Sequence, residues 1–196
     1  MAFGTPTILF DIDYTIIDNH RLRARLIRHF LHKVITFSSF RPDIAAAFYL
    51  LFGTPGEFLT SKKVRDSFLA PEYYKESIFP DVRPTLEKLE NRARLGVFSQ
   101  GFYRLQHAKV VLSGLERFFD FELFFALPPN KNFRIKEVLG RLPKGKVYFI
   151  DDRRNVAVPL SRLGVKVFLI DRQDRQRVPK RIRRVESLTE IPDLIS

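Results

Sequence analysis

The chain has 196 residues, no cysteine, and 34 Lys and Arg against 22 Asp and Glu, for a formal charge of +12. That length supports one full hydrophobic core with room for a small insert. It carries no disulfide framework and no thiolate chemistry. Its longest apolar run, Ile44 to Phe52, is too short to span a bilayer.

In chain order, Thr7 to Phe10 reads as a buried β-strand that ends abruptly in Asp11 and Asp13. No basic flank precedes this strand, so it does not fit a signal peptide, and the expected location is the cytoplasm. Asn19 to Phe37 carries Leu22, Leu26, Phe30 and Val34 at helical spacing. Asp43 can cap a short apolar helix, Ile44 to Phe52, and Gly53 to Gly56 is a turn signal. Ser61 to Leu69 and Pro71 to Ser77 predict further short helices. Pro80 to Pro84 leads into a helix from Thr85 to Arg94. Four more strands follow, at Leu95–Ser99, Glu122–Ala126, Lys146–Ile150 and Val165–Ile170, with helices between them. Glu186 to Ile195 predicts a last helix.

Strand and helix alternate, so the expected fold is α/β: a doubly wound, Rossmann-like parallel sheet of about five strands. Residues 18–79 interrupt that alternation and predict a small helical cap, with residues 1–17 and 80–196 forming the core. The phenylalanine-rich stretch Phe118 to Phe125 reads as core and sheet edge. His20, His29, His32 and His107 fall in predicted helices without partners for metal ligation.

In a parallel sheet, ligands bind beyond the carboxyl ends of the strands. Strand one ends in Asp11 and Asp13, strand two in Ser99, and strand four in Asp151 and Asp152. Carboxylates converging on one edge are costly without a cation between them. Mg²⁺ takes oxygen ligands, few carboxylates and substrate phosphate, so it suits such an edge. Ser99, at a helix start, suits phosphate oxygens, and Lys131 can reach the same edge.

In these residues the sequence resembles the haloacid dehalogenase superfamily, in particular its phosphatases. Asp11-Ile12-Asp13-Tyr14-Thr15 is similar to the first family motif, Ser99 to the second, Lys131 to the third and Asp151-Asp152 to the fourth. The resemblance implies an aspartyl-phosphate mechanism with Asp11 as nucleophile and Asp13 as general acid and base. It implies that Asp11, the Asp13 backbone carbonyl, Asp151 and Asp152 serve Mg²⁺. Ser99, Gln100, Gly101 and Lys131 would hold the substrate's phosphoryl group. Lys136 competes with Lys131 for the third role. The position after the second aspartate is often Gly in the family and is Tyr14 here. Asn155 stands where an acid is common and could orient Asp152.

The expected activity is Mg²⁺-dependent hydrolysis of a small phosphomonoester. Asp13 argues against dehalogenation, while phosphomutase chemistry stays open. The alternative is a weak or inert member of the fold that binds nucleic acid or a protein partner. Arg172 to Arg184 holds seven basic residues and one acid. It reads as a solvated segment that attracts polyanions weakly, with no specific nucleic-acid site and no membrane contact expected. Oligomeric state is not legible.

Overall fold

In the computed structural model, the structure describes residues 4–36, 71–128, 130–173 and 176–195. The strands are β1 (Thr7–Phe10), β2 (Arg94–Ser99), β3 (Phe124–Ala126), β4 (Val147–Asp151), β5 (Lys166–Ile170) and β6 (Arg183–Val185). Among the described residues they form one six-stranded sheet in the order β3-β2-β1-β4-β5-β6, and every pairing is parallel. β1 lies at the centre of this order, where the chain's direction of winding reverses, so Asp11 and Asp13 emerge at the switch point.

Both sheet faces are covered, which is why the strands read as unbroken apolar runs. Alternate side chains separate onto two cores. Ile8, Phe10, Val97, Tyr148 and Ile150 share one core with α1 (Asn19–Thr36), α3 (Val82–Leu89) and the C-terminal helix α7 (Ile191–Leu194). Leu9, Phe98, Phe149, Val167 and Leu169 share the other with α5 (Ile135–Arg141) and α6 (Arg154–Arg162). Two further helices are α2 (Pro71–Lys75) and α4 (Tyr103–Leu112). Gly96 lets β2 pack this tightly: a Cβ there would lie 2.6 Å from both Leu9 and Leu123. Among the described residues, no helix is long and apolar enough to cross a membrane.

The sheet has one strand more than the sequence predicts. β6 lies inside the basic run, where charge hides its pairing with β5. The helix expected from Thr85 to Arg94 runs instead from Val82 to Leu89. Pro84 is tolerated in its first turn, and Arg94 is taken by the sheet, its backbone N–H donating to Pro6 O. The strand expected from Glu122 begins at Phe124, because Phe121–Leu123 forms a 3₁₀ turn capped by Asp120. The tail is a 3₁₀ turn at Leu188–Glu190 followed by α7 rather than one helix. Phe118, Phe119, Phe124 and Phe125 are buried, and β3 is the edge strand.

Asp18 and the segment Ser77–Phe79, far apart in the chain, are stitched together. Asp18 N donates to Ser77 O at 2.8 Å, Phe79 N donates to Ile16 O at 3.1 Å, and Ile17 bridges Ile78 antiparallel. The expected helices Ile44–Phe52 and Ser61–Leu69 lie outside the described residues.

Just after Phe79, Asp81 joins three distant segments. It accepts a two-pronged contact from Arg172 at 2.6 and 3.0 Å, together with bonds from Ser187 Oγ at 3.0 Å and Leu188 N at 2.8 Å. Arg172 also donates to Thr15 O at 3.1 Å. Arg172 is therefore a structural ion-pair partner, not a solvated cation. Burial pushes the Asp81 carboxyl up, but the Arg172, Leu188 and Ser187 contacts outweigh it and hold it below the usual carboxylate range. The resulting stabilisation is present above the unfolded value near pH 4 and is lost as pH falls through the lower folded value. Asp81→Asn should cost about 1–3 kcal/mol at neutral pH. Denaturant unfolding should show that gap narrowing below about pH 4; a pH-independent difference would rule out the ionic contribution.

Candidate active site

β1 delivers Asp11 to the sheet edge and a tight turn follows it. Ile16 N and Ile17 N both donate to Ile12 O, and Tyr14 N donates to Ile17 O. The turn puts Tyr14 in the left-handed region at φ 63°, a conformation that suits glycine and costs a side-chain-bearing residue about 1–2 kcal/mol. Its ring rests on His20, with centroids 5.1 Å apart.

β4 delivers Asp151 and Asp152 beside β1. Carboxylate oxygens of Asp11, Asp151 and Asp152 all lie within 4.8 Å of one another. Lys131, in the 3₁₀ turn that precedes α5, is fully buried behind them. Its Nζ donates to Asp11 Oδ1 at 2.7 Å and to Phe98 O at 2.9 Å. It also lies 2.5 Å from Asp151 Oδ2, an ion pair rather than a well-aligned hydrogen bond. Burial works against the lysine's charge, but Asp11 and Asp151 outweigh it and raise its proton affinity. Lys136 is exposed on α5, so only Lys131 reaches the cluster.

One lysine does not neutralise the group. Burial pushes Asp151 up to about 6, with Lys131 opposing and Asp11 adding to the rise. Burial and the Asp11 and Asp151 charges push Asp152 up to about 8. Asp152 Oδ1 is buried without a hydrogen-bond partner. An all-oxygen donor set with an unpartnered carboxylate oxygen and surplus negative charge fits a hard divalent cation.

Ser99 ends β2 with its hydroxyl buried and unpartnered, which fits a phosphoryl oxygen. A cavity of about 210 Å³ brings together Asp11, Asp13, Ser99, Gln100, Asp152 and Arg153, with Tyr14, Asn19 and Arg23 at its walls. Gln100 accepts from Arg153 at 3.0 Å. Gly101 does not line this cavity. Its φ of 135° and the approach of Gln106, 2.7 Å from where a Cβ would stand, make it a turn residue. Asn155 is exposed on α6; its backbone carbonyl accepts from Asn132.

Two residues on α4 were not found by motif. Lys109 Nζ pairs with Asp13 Oδ1, and Gln106 Nε2 donates both to Asp13 Oδ2 at 3.2 Å and to Gln100 O at 2.8 Å. Burial pushes Asp13 up, but the Lys109 ammonium and bonds from Lys109, Asn19 and Gln106 bring it below its ordinary value. The available signal was their i, i+3 spacing on the helix that starts beside Ser99.

No family model and no curated protein matches the sequence. Solved structures do match along nearly the whole chain. A magnesium-bound protein from Bacillus subtilis described as a HAD-hydrolase is 16% identical with a TM-score of 0.63, covering 96% of this chain and 97% of its own. A HAD phosphatase from Thermococcus onnurineus is 21% identical with a TM-score of 0.60 over the same shares. The L-2-haloacid dehalogenase from Xanthobacter autotrophicus is 16% identical with a TM-score of 0.55, covering 97% of each chain. The chain has the fold of the haloacid dehalogenase-like hydrolases.

The raised Asp152 value predicts a pH signature in the metal-free protein. The folded state binds a proton that the unfolded state releases near pH 4, so stability should fall as pH rises from about 4 to about 8. In EDTA, Asp152→Asn should raise the melting temperature at pH 8 and change it little at pH 5. Equal shifts at both pH values would contradict the assignment.

Proposed function

We propose that the chain is a Mg²⁺-dependent phosphatase that hydrolyses a small phosphomonoester through an aspartyl phosphate on Asp11. The observation that carries this reading is the pairing of Asp11 and Asp13 in one small cavity with the unpartnered Ser99 hydroxyl. Solved neighbours include a phosphatase and a dehalogenase. The second aspartate favours phosphoryl transfer, because expulsion of halide requires no proton donor whereas expulsion of an alkoxide does.

In the proposed sequence, Asp11 attacks phosphorus and the bond to the leaving oxygen breaks. Asp13 supplies the proton to that oxygen. A water then attacks the aspartyl phosphate while Asp13 takes its proton, which releases phosphate and restores Asp11. Lys109 holds Asp13 ionised at rest; the incoming phosphate's negative charge raises its proton affinity, so Asp13 takes up a proton from solvent as substrate binds and has it to give to the leaving oxygen. Ser99 and Arg153 orient phosphoryl oxygens. Asp11, the Asp13 carbonyl, Asp151 and Asp152 would hold Mg²⁺, which when bound supplies positive charge against the developing negative charge. Lys131 keeps Asp11 and Asp151 aligned from behind.

This reading assigns a small phosphorylated molecule as partner. Ion pairing of Arg172 with Asp81 and the place of Arg183 and Arg184 in β6 favour a structural role for much of the basic run.

Asp11→Asn should abolish Mg²⁺-dependent hydrolysis of p-nitrophenyl phosphate with an unchanged circular dichroism spectrum. Asp13→Asn should lose about 10²–10⁴-fold on alkyl phosphates and less on p-nitrophenyl phosphate, whose leaving group does not require protonation. Turnover in the Asp11 variant, or halide release from 2-haloacids by the wild type, would overturn the reading.

A further inference from the structure

A second cavity of about 490 Å³ adjoins the phosphoryl pocket, and the two share Tyr14 and Asp152 as lining residues. A leaving group attached to phosphorus in the smaller cavity has this larger space beside it. Its other charged walls come from Asp18 at the start of α1 and from Asp171 and Arg172 after β5, and its aromatic walls are Tyr14, His20 and Phe79.

The charges in this wall are unequal. Arg172 is largely committed: both terminal nitrogens are bonded to Asp81, one also to Thr15 O, and its face lies 3.9 Å from the centre of the Phe79 ring, which leaves only its buried Nε without a partner. The carboxylates are less committed. Asp18 accepts from Arg21 N at 3.0 Å, and Asp171 accepts from Gln176 N at 2.8 Å. Backbone amides orient a carboxylate without cancelling its charge. Among the described residues, their ion pairs are long, to Arg21 at 3.8 Å and to Arg184 at 3.9 Å. The phosphoryl pocket also holds carboxylates, Asp11, Asp13 and Asp152, but sets Arg23 and Arg153 against them at its wall. A second anion on the substrate would therefore meet carboxylates and a guanidinium whose two terminal nitrogens are already bonded. Aromatic faces and carboxylates together favour a positive or neutral polar group.

We infer that the 490 Å³ cavity is the leaving-group subsite, and that it selects phosphomonoesters whose alcohol carries no second anion and is favoured when it carries an amine. This rests on the phosphatase reading and adds the substrate class to it. Tyr14 is the partition between the two subsites, held there by its left-handed backbone and its contact with His20.

The test compares three esters of similar size: 2-aminoethyl phosphate, glycerol 1-phosphate and 3-phosphoglycerate. With Mg²⁺ present, kcat/KM should fall in that order, with about tenfold or more between the first and the last. Gln173 is exposed at the rim of the same cavity, so Gln173→Arg supplies the missing cation without disturbing the core. It should shrink that ratio several-fold. In parallel, calorimetric titration of the Asp11→Asn protein should give the same order of affinities without turnover. Hydrolysis of all three esters at equal efficiency, or preference for 3-phosphoglycerate, overturns the subsite and leaves the phosphatase reading standing. If no phosphoester is hydrolysed, the phosphatase reading falls. The titration then decides the subsite alone: equal affinities overturn it, and the stated order upholds it.

Discussion

The structure depends on one buried contact, the Lys131 ammonium between Asp11 and Asp151. β1 and β4 are neighbours in the sheet, so their carboxyl ends place these two acids side by side in the interior. Without a cation that juxtaposition opposes the strand pairing that creates it. Lys131 resolves most of the conflict with a charge that is itself fully buried and bonded to a backbone carbonyl of β2. Loss of the lysine from such a group is strongly destabilising, because the carboxylates are left charged and unpaired. The lysine thus links three strands and the turn after β3 at the point where chemistry is placed. It leaves the group short of neutral, since three carboxylates share one ammonium. That residual negative charge is what a divalent ion would complete.

Much of this was legible in the sequence because it is local. Apolar runs ending in acid located β1 and β4, and a serine ending an apolar run located β2. Lys131 and Lys136 compete for the third role in the sequence, and the burial of Lys131 against the exposure of Lys136 separates them. What could not be read was every contact between segments far apart in the chain. Asp81 and Arg172 are 91 positions apart, and Lys109 and Asp13 are 96 apart. No periodicity records such pairs. β6 failed for a related reason. A three-residue edge strand of Arg, Arg and Val carries no pattern of its own and exists because β5 offers it a ladder. Helix ends erred where tertiary demand overrode propensity, as when Arg94 joined the sheet.

Tyr14 shows how a departure from an expected residue can carry information. Glycine would occupy the left-handed position without strain, so tyrosine brings a local cost of about 1–2 kcal/mol. Its ring recovers part of this against His20. Strain of this kind persists where surrounding structure over-determines it, and such places concentrate at functional sites. Here the surroundings are the turn bonds from Ile12 to Ile17 and the bond that stitches Asp18 to Ser77. The ring's position therefore follows from the geometry of the turn after β1.

The last consequence concerns charge. A chain with a formal charge of +12 draws anions toward its surface regardless of their structure. Long-range attraction of that kind brings phosphorylated molecules near but does not choose among them. Discrimination has to come from charges fixed at short range, where screening by salt is weak. Lys131 and Lys109 are committed to the active-site aspartates, and Arg172 to Asp81. The basic surface and the acidic interior thus act at different distances. In the proposed phosphatase, the surface would raise the encounter rate for any phosphate ester, and the carboxylate-lined interior would set which ester's alcohol is tolerated once the phosphate is seated.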